Sequence, residues 1–396
     1  MPLIQIIVLI LLLLALGALF YIYVGYALLM IVLARFWPKP DPPESYHPQV
    51  TIIIPAFNEE AVIADKLDAV LALDYPRELQ QIIVADDGSE DATAEIVQRY
   101  VDRGIELVSQ SPRKGKITAM NNALSHVEGE ITVFTDADIT CPPDSLKLLV
   151  RHFADPTVGC VTSGHRIIKD ASSAGRANDF YWNFESLLKA SESRIYSTVA
   201  ASGHMLAVRT ELVEMIPPDI LIDDFYRVMT ILRQRYRVVY EPRVVCLQRP
   251  TISMQDEITR RKRMTAGRYQ VMAMSGEFLP RFKPLVRLQV ISHKFSRPFI
   301  PLLMIAAFVL NGLYVALPQS PALPVILHQL IWGLFALQAA FYLSALAGYV
   351  LEKLGVNNRL LSIPYYLVSA NLGGLKGVFW YLSGERTVLW HQARRE

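Results

Sequence analysis

Only three cysteines, Cys141, Cys160 and Cys246, occur in 396 residues, and none stands at a metal-ligand spacing. A disulfide framework or a zinc site is therefore not expected, and the thiols fit a reducing compartment. Neither sign of charge is in excess: 39 Lys+Arg oppose 37 Asp+Glu, a formal +2, so no nucleic-acid partner is expected. Neither a GxGxxG nor a GxxxxGK[ST] run is present, which removes the main sequence support for a nicotinamide or P-loop site. Hydrophobic residues reach 52% and charged residues only 19%, too apolar for an ordinary soluble domain and too charged for a membrane bundle alone. Part of the chain belongs in lipid and part in water.

From Leu3 to Leu33 there is no charged residue, and a helix of about 20 apolar residues suffices to cross a bilayer. No basic residue precedes this run, whereas Arg35 and Lys39 follow it. It reads as a retained anchor, with the residues after it on the cytoplasmic side of the inner membrane. Pro298 to Pro318 and Ala322 to Leu351 are two further uncharged stretches of spanning length, with an external loop between them. The last apolar stretch, Leu360 to Leu382, contains Lys376 and precedes a basic tail, so an interfacial or re-entrant segment is favoured over a span. The expected layout is an anchor over 1–35, an α/β domain over 45–250 and interfacial amphipathic helices over 251–297. A membrane region over 298–383 and a tail over 384–396 follow.

Within the polar part, Thr51 to Pro55 and Gln81 to Ala85 are short continuous apolar runs, the pattern of buried parallel strands. Apolar residues at helical spacing follow each, over Glu59 to Leu73 and over Asp91 to Val101. Glu106 to Ser109, a helix over 116–126 and Ile131 to Phe134 continue the alternation. The expected fold class is α/β, a Rossmann-like doubly wound sheet with ligands at the carboxyl ends of its strands, flanked by transmembrane helices.

Those strand ends carry acid. Asp86 and Asp87 end one strand, and Asp136 and Asp138 end another. Single pairs of this kind usually cap helices or close turns, but two at successive strand ends point to a ligand. Carboxylates spaced i, i+2 can share Mg2+ or Mn2+, which takes one or two carboxylates plus phosphate oxygens. The cation would hold a diphosphate.

The runs Ile54-Pro-Ala-Phe-Asn-Glu-Glu60, Val84-Ala-Asp-Asp-Gly-Ser89, Lys114-Gly-Lys-Ile-Thr-Ala-Met-Asn121, Phe134-Thr-Asp-Ala-Asp138, Ser202-Gly-His204 and Ile222-Asp-Asp224 follow one another over about residues 50 to 270. In order and spacing this set resembles the membrane-bound family-2 glycosyltransferases, related to cellulose, hyaluronan and poly-N-acetylglucosamine synthases. The resemblance implies a GT-A fold and a role for each matching residue. Pro55, Ala56 and Glu60 would sit beside the nucleoside, Asp87 would recognise base or ribose, and Lys116 would approach the donor phosphates. Asp136 and Asp138 match the metal-binding pair. Asp224 matches the general base, and Asp223 stands where the family more often has Glu.

Chemistry favours the same assignment. A sugar hydroxyl is a poor nucleophile and needs a carboxylate to take its proton. A second acid beside that base raises its pKa, because two close carboxylates resist double ionisation. One base and no covalent partner means direct displacement with inversion.

Arg260 to Met264 aligns by spacing with the Gln-x-x-Arg-Trp element of the processive synthases. Arg263 keeps the Arg that contacts the diphosphate, while Arg260 replaces Gln and Met264 replaces the acceptor-lining Trp. Arg260 is expected on the donor side, with the other cations partly on lipid headgroups. Asp179 to Arg194 mixes aromatic and acidic residues at helical spacing, so Trp182 and Glu185 are candidates to face an acceptor sugar, as is His204. His165 and Arg166 receive no assignment. Arg287 to Arg297 alternates cations with apolar residues, as an interfacial helix joining domain to membrane would.

The implied activity is transfer of a sugar from a nucleotide diphosphate donor, expected to be UDP-linked, to a glycan or lipid-linked acceptor. The neighbouring alternatives are a polyprenyl-phosphate glycosyltransferase and a catalytically inactive nucleotide-sugar-binding scaffold.

Overall fold

The uncharged N-terminal run forms α1 (Pro2–Phe20) and α2 (Tyr26–Ala34), joined by a π-helical turn at Tyr21–Gly25. The structure, a computed structural model, describes residues 2–39, 42–167, 173–248, 254–321, 323–356 and 358–384. Most of the expected basic tail thus lies outside the described residues.

The apolar run after the anchor forms β1 (Val50–Ala56), buried along its whole length. β2 (Gln80–Asp86), β3 (Ile105–Ser109) and β4 (Ile131–Phe134) run parallel beside it, in the order β3-β2-β1-β4. The crossovers are α3 (Ile63–Leu71), α4 (Thr93–Gln98) and α5 (Lys116–Ala123). α4 starts later than its apolar spacing predicts because Asp91 stays outside the helix, accepting the Thr93 N–H at 2.9 Å.

Beyond β4 the sheet departs from the expected doubly wound pattern. β5 (Ile139–Thr140), α6 (Ser145–Val150), β6 (Val158–Ile167), α7 (Ser173–Ile195), β7 (Leu206–Arg209), α8 (Asp223–Arg233) and β8 (Arg237–Gln248) complete a mixed sheet in the order β3-β2-β1-β4-β7-β6-β8-β5. β7 runs antiparallel to both β4 and β6. Both faces are covered: Ile52, Ile54 and Val84 pack with Leu67 and Leu149 on one side, and Ile53, Ile83 and Phe134 pack with Met120 and Met229 on the other. Burying each such side chain contributes about 1.5–3 kcal/mol, and the two-sided burial explains why these strands are apolar without alternation.

Cys141 and Cys246 are joined as a disulfide, contrary to the expectation from the sequence. They are 105 residues apart, and only the antiparallel pairing of β5 with β8 brings them together. The reading of a reducing compartment loses that support. Cys160 is free and buried.

The remaining helices are α9 (Met254–Ala273), α10 (Ser275–Phe278), α11 (Pro284–Gln289), α12 (Ile300–Ala316), α13 (Val325–Lys353) and α14 (Arg359–Leu382). Among the described residues, Leu3–Ala34, Pro284–Ala316 and Val325–Lys353 are long and apolar enough to cross a membrane. The second begins well before Pro298, because the segment expected to be interfacial continues into α12 through a π-helical turn at Val290–Phe295. α14 is not among them. It lies against α9, where Gly377 lets the backbones meet: a Cβ there would sit 2.5 Å from the Lys262 carbonyl oxygen.

Arg287 of the second segment is exposed, but His293, Lys294 and Arg297 turn into the protein. His293 places its two ring nitrogens 2.8 Å from Glu185 and 2.8 Å from Glu192, and Arg297 donates to Glu185 at 2.7 Å. Glu192 also accepts from the Tyr26 hydroxyl of α2. One buried cluster therefore ties the N-terminal helix, α7 and the second candidate span together.

Candidate active site

Two turns shape the carboxyl edge of the sheet. After β1, Asn58 takes a left-handed conformation (φ 53°), and its side chain accepts the Glu90 N–H at 2.8 Å. After β2, Asp86 accepts the Ser89 N–H at 3.2 Å and closes the next loop, in which Gly88 has φ 74°. A Cβ on Gly88 would also meet the Gln110 carbonyl oxygen at 2.9 Å, so only glycine suits this turn.

Beneath those loops is a cleft lined by Pro55, Lys116, Asp136, Asp223, Asp224 and Arg227, among others. β1 supplies Pro55, the N-terminus of α5 supplies Lys116, the turn after β4 supplies Asp136, and the first turns of α8 supply the other three. Five of these were singled out from the sequence. Lys116 Nζ stands 2.6 Å from Asp136 Oδ1 and 3.8 Å from Asp223 Oδ2. Burial opposes its charge, but Asp136 and Asp223 outweigh that and hold the ammonium above the ordinary lysine range.

Burial, then the neighbouring Asp223, pushes the Asp224 carboxyl upwards, against one hydrogen bond from the Phe225 N–H. Gly203 lies between the two acidic groups: a Cβ there would be in ordinary contact, 3.8 Å from Asp224 Oδ2 and 3.9 Å from Asp136 Oδ2. Two carboxylates, Asp224 and Asp136, thus face one gap.

Asp136 and Asp138 suit a hard divalent cation. Asp136 already draws an ammonium to 2.6 Å, and a pair of carboxylates leaves coordination positions for phosphate oxygens. Among the described residues no group of three or more His, Cys, Asp or Glu converges, so the pair alone would not enclose an ion.

Asp138 leads into an aromatic cluster. Gln248 donates to Asp138 at 3.3 Å, and its carbonyl oxygen faces His165 Nε2 at 3.2 Å and His204 Nε2 at 3.3 Å. The two imidazoles stack 3.8 Å apart, and Trp182 meets His165 edge-on at 4.3 Å. Burial pushes His165 down to about 2 and His204 down to about 3, so both rings are neutral. Trp182 and His204 were each expected on the acceptor side. His165, which joins them, was not singled out, since nothing in its strand marks it.

Other expected site residues take structural partners. Glu60 is at the surface and accepts the Ala92 N–H at 3.1 Å. Asp87 is buried and accepts the Lys114 N–H at 2.9 Å and the Gly115 N–H at 2.8 Å, shaping the loop that starts α5. The Ala56 carbonyl accepts the Asp87 N–H at 2.9 Å. Glu185 joins the buried cluster with His293 and Arg297. Arg260 pairs with Glu257 at 2.9 Å, Arg261 reaches the Tyr366 hydroxyl at 3.3 Å, and Lys262 lies 4.5 Å from the Trp380 ring centre. Those cations serve α9 and α14 rather than headgroups alone. Arg263 is close enough to Lys116 to oppose its charge, and Met264 is half-buried one residue on.

Arg227 is the cleft residue that the sequence reading missed. Its signal was a lone cation in the apolar run from Phe225 to Leu232, since cations are seldom fully buried.

The sequence pattern of glycosyl transferase family 2 matches residues 51–216, which hold Lys116, Asp136 and Asp138. Residues 51–216 are a family 2 glycosyltransferase domain. The chain resembles a poly-beta-1,6-N-acetyl-D-glucosamine synthase of Staphylococcus epidermidis, 26% identical over 212 residues, 51% of each chain. A beta-monoglucosyldiacylglycerol synthase of Synechocystis sp. is 33% identical over 129 residues, 32% of this chain and 27% of that one. The chain thus spans about half the length of the first relative and less of the second. A mannosyltransferase of Pyrobaculum calidifontis, solved with GDP-Man and Mn2+, is 25% identical with a TM-score of 0.71, covering 96% of this chain and 99% of that one. The chain has the GT-A fold, and among the described residues three apolar helices could span a membrane.

Proposed function

We propose that this transferase moves a sugar from a nucleotide diphosphate donor to a hydroxyl of a glycan or lipid-linked acceptor, with inversion, using Mg2+ or Mn2+. The site would lie at the cytoplasmic membrane face, an orientation supported by Arg35 and Lys39 after the first apolar run. The observation that carries the reading is the meeting of half-buried Asp224 with Asp136 and Lys116 in one cleft.

The acceptor hydroxyl gives its proton to the Asp224 carboxylate while its oxygen bonds to the anomeric carbon. The bond from that carbon to the donor phosphate breaks, and its electron pair leaves on the diphosphate. Attack opposite the leaving group turns an α-linked donor into a β-linked product. Lys116 offers its ammonium to the departing phosphate. Asp136 and Asp138 would hold the cation, whose contribution is Lewis acidity towards the diphosphate oxygens.

Two observations bear on the substrates. The likeness along the whole chain to a protein solved with GDP-Man supports testing GDP donors beside the expected UDP donors. An apolar groove lined by Leu19, Phe20, Met304, Phe341, Leu367 and Asn371 lies among the membrane helices, which favours a lipid-linked acceptor as the second reading.

The test is nucleoside diphosphate release by the full chain in detergent, over UDP- and GDP-sugars, with polyprenyl phosphate, diacylglycerol and oligosaccharide acceptors. Release from one donor is expected, suppressed on the order of 100-fold by EDTA and restored by Mn2+ or Mg2+. Release indifferent to EDTA would remove the cation from Asp136 and Asp138. Tight nucleotide binding with no release under any pairing would favour the inactive scaffold.

A further inference from the structure

Every residue of α8 from Phe225 to Leu232 is buried, and in its midst Arg227 is only 2% exposed. A buried cation is costly unless it is paired and hydrogen-bonded. The face of this guanidinium is used: its carbon lies 3.8 Å from the centre of the Phe134 ring. Its edge is not used. Neither terminal nitrogen, Nη1 or Nη2, has a hydrogen-bond partner among the described residues. Burial pushes the group down only to about 10, with Asp223 and Asp224 opposing the shift, so it stays charged at neutral pH.

A structural counter-ion for Asp223 or Asp224 would donate to their oxygens, and no such bond is made among the described residues. Arg227 instead lines the cleft together with Asp224 and Asp136. If Asp224 is the base and Asp136 lies on the diphosphate side, the anomeric carbon must sit between them. The sugar ring then lies in the cleft that Arg227 also lines. A guanidinium whose face is fixed by stacking presents two parallel N–H donors, a match for two oxygens in one plane.

We propose that Arg227 binds the sugar ring of the donor, with its two terminal nitrogens on a pair of oxygens, either a carboxylate or two neighbouring hydroxyls. The assignment rests on the transferase reading of the cleft. It makes Arg227 a donor-binding residue that selects the sugar and leaves the nucleotide to other groups.

The experiment compares wild type, Arg227→Lys and Arg227→Met as full chains in detergent with Mn2+. The donor panel contains uronic acid, neutral hexose and N-acetylhexosamine nucleotides, and the affinity for free UDP and GDP is measured in parallel. Arg227→Met is expected to lower kcat/KM for the preferred donor on the order of 100-fold, and Arg227→Lys by roughly 10-fold, because Lys keeps the charge and loses the fork. Free nucleotide affinity should stay within about twofold, since no phosphate contact is removed.

A carboxylate partner appears as a wild-type preference for uronic acid donors that Arg227→Met abolishes. A hydroxyl partner appears as a preference for a neutral donor, whose deoxy analogue loses nothing further in Arg227→Met. Equal losses of free nucleotide and donor affinity would overturn the assignment in favour of a phosphate contact, and unchanged donor kinetics would overturn it outright. Should Arg227→Met fail to fold, the Lys variant against the same panel decides. A wild type that releases nucleotide from no donor takes down the transferase reading and Arg227 with it, whereas an active wild type with an unaffected variant takes down Arg227 alone.

Discussion

Asp224→Asn is expected to lower turnover by about 10²- to 10⁴-fold, the range for losing a positioned general base, while donor binding changes little. The amide keeps the shape and cannot take the acceptor proton. In the wild type the rate should rise with pH through a value above the ordinary aspartate range, because the base works only when ionised and burial together with Asp223 resists its ionisation. The same shift carries a stability sign. A carboxyl whose folded pKa lies above its unfolded one binds the proton more tightly in the native state. Its effect therefore favours folding at low pH and turns against it as pH rises past the unfolded value. At neutral pH, Asp224→Asn should accordingly raise the melting temperature while lowering turnover, the trade between stability and activity expected of a functional site. Retained turnover in this variant, or a rate flat in pH from 4 to 8, would remove Asp224 from the role of base.

Glu185→Ala should have the largest effect on stability. Glu185 meets His293 at 2.8 Å, Arg297 at 2.7 Å and Lys294 at 3.7 Å, and all four side chains are largely shielded from water. Removing one partner of such a cluster leaves cations buried without compensation, at a cost of roughly 3–5 kcal/mol. Burial opposes the charge of Glu185, but Arg297 and His293 hold its carboxyl well below the ordinary glutamate range. Its contribution is therefore present above that range and disappears as pH falls through the depressed value. The check is thermal unfolding of the full chain in detergent, with acceptor kinetics on the surviving fraction. A large drop in Tm with an unchanged acceptor KM is expected. An unchanged Tm with a collapsed acceptor KM would instead return Glu185 to the acceptor site that its helical spacing first suggested.

Glu185 marks the limit of reading along the chain. Helical spacing put it on a face with Trp182, but its partners His293 and Arg297 are 108 and 112 residues away, and a one-dimensional pattern does not carry that distance. The same applies to Cys141 and Cys246. Features with a local cause were readable. β1 and β2 are apolar without alternation because both faces of the sheet are covered, and the acids at 86–87 and 136–138 stand where apolar strands stop. Lys116, Asp136, Asp223 and Asp224 fell together as their motifs implied. The mixed order β4-β7-β6-β8 was not readable, since pairing between distant strands leaves no trace in either one. Arg227 was readable in principle, as a charge where the surrounding pattern asks for an apolar residue.

The stapling of Tyr26 to Glu192, and of Glu192 to His293, has a mechanical side. With the apolar helices in a bilayer, the cleft cannot ride up or down relative to them, and Asp224 is held at one altitude. An acceptor moored in the same bilayer then reaches it by drifting sideways, so the search covers an area instead of a volume. Whether that acceptor can react depends on the spacer between its anchor and its reacting hydroxyl. For such an acceptor the cleft would act as a ruler, and a product lengthened by one sugar would already be measured differently from the molecule that entered.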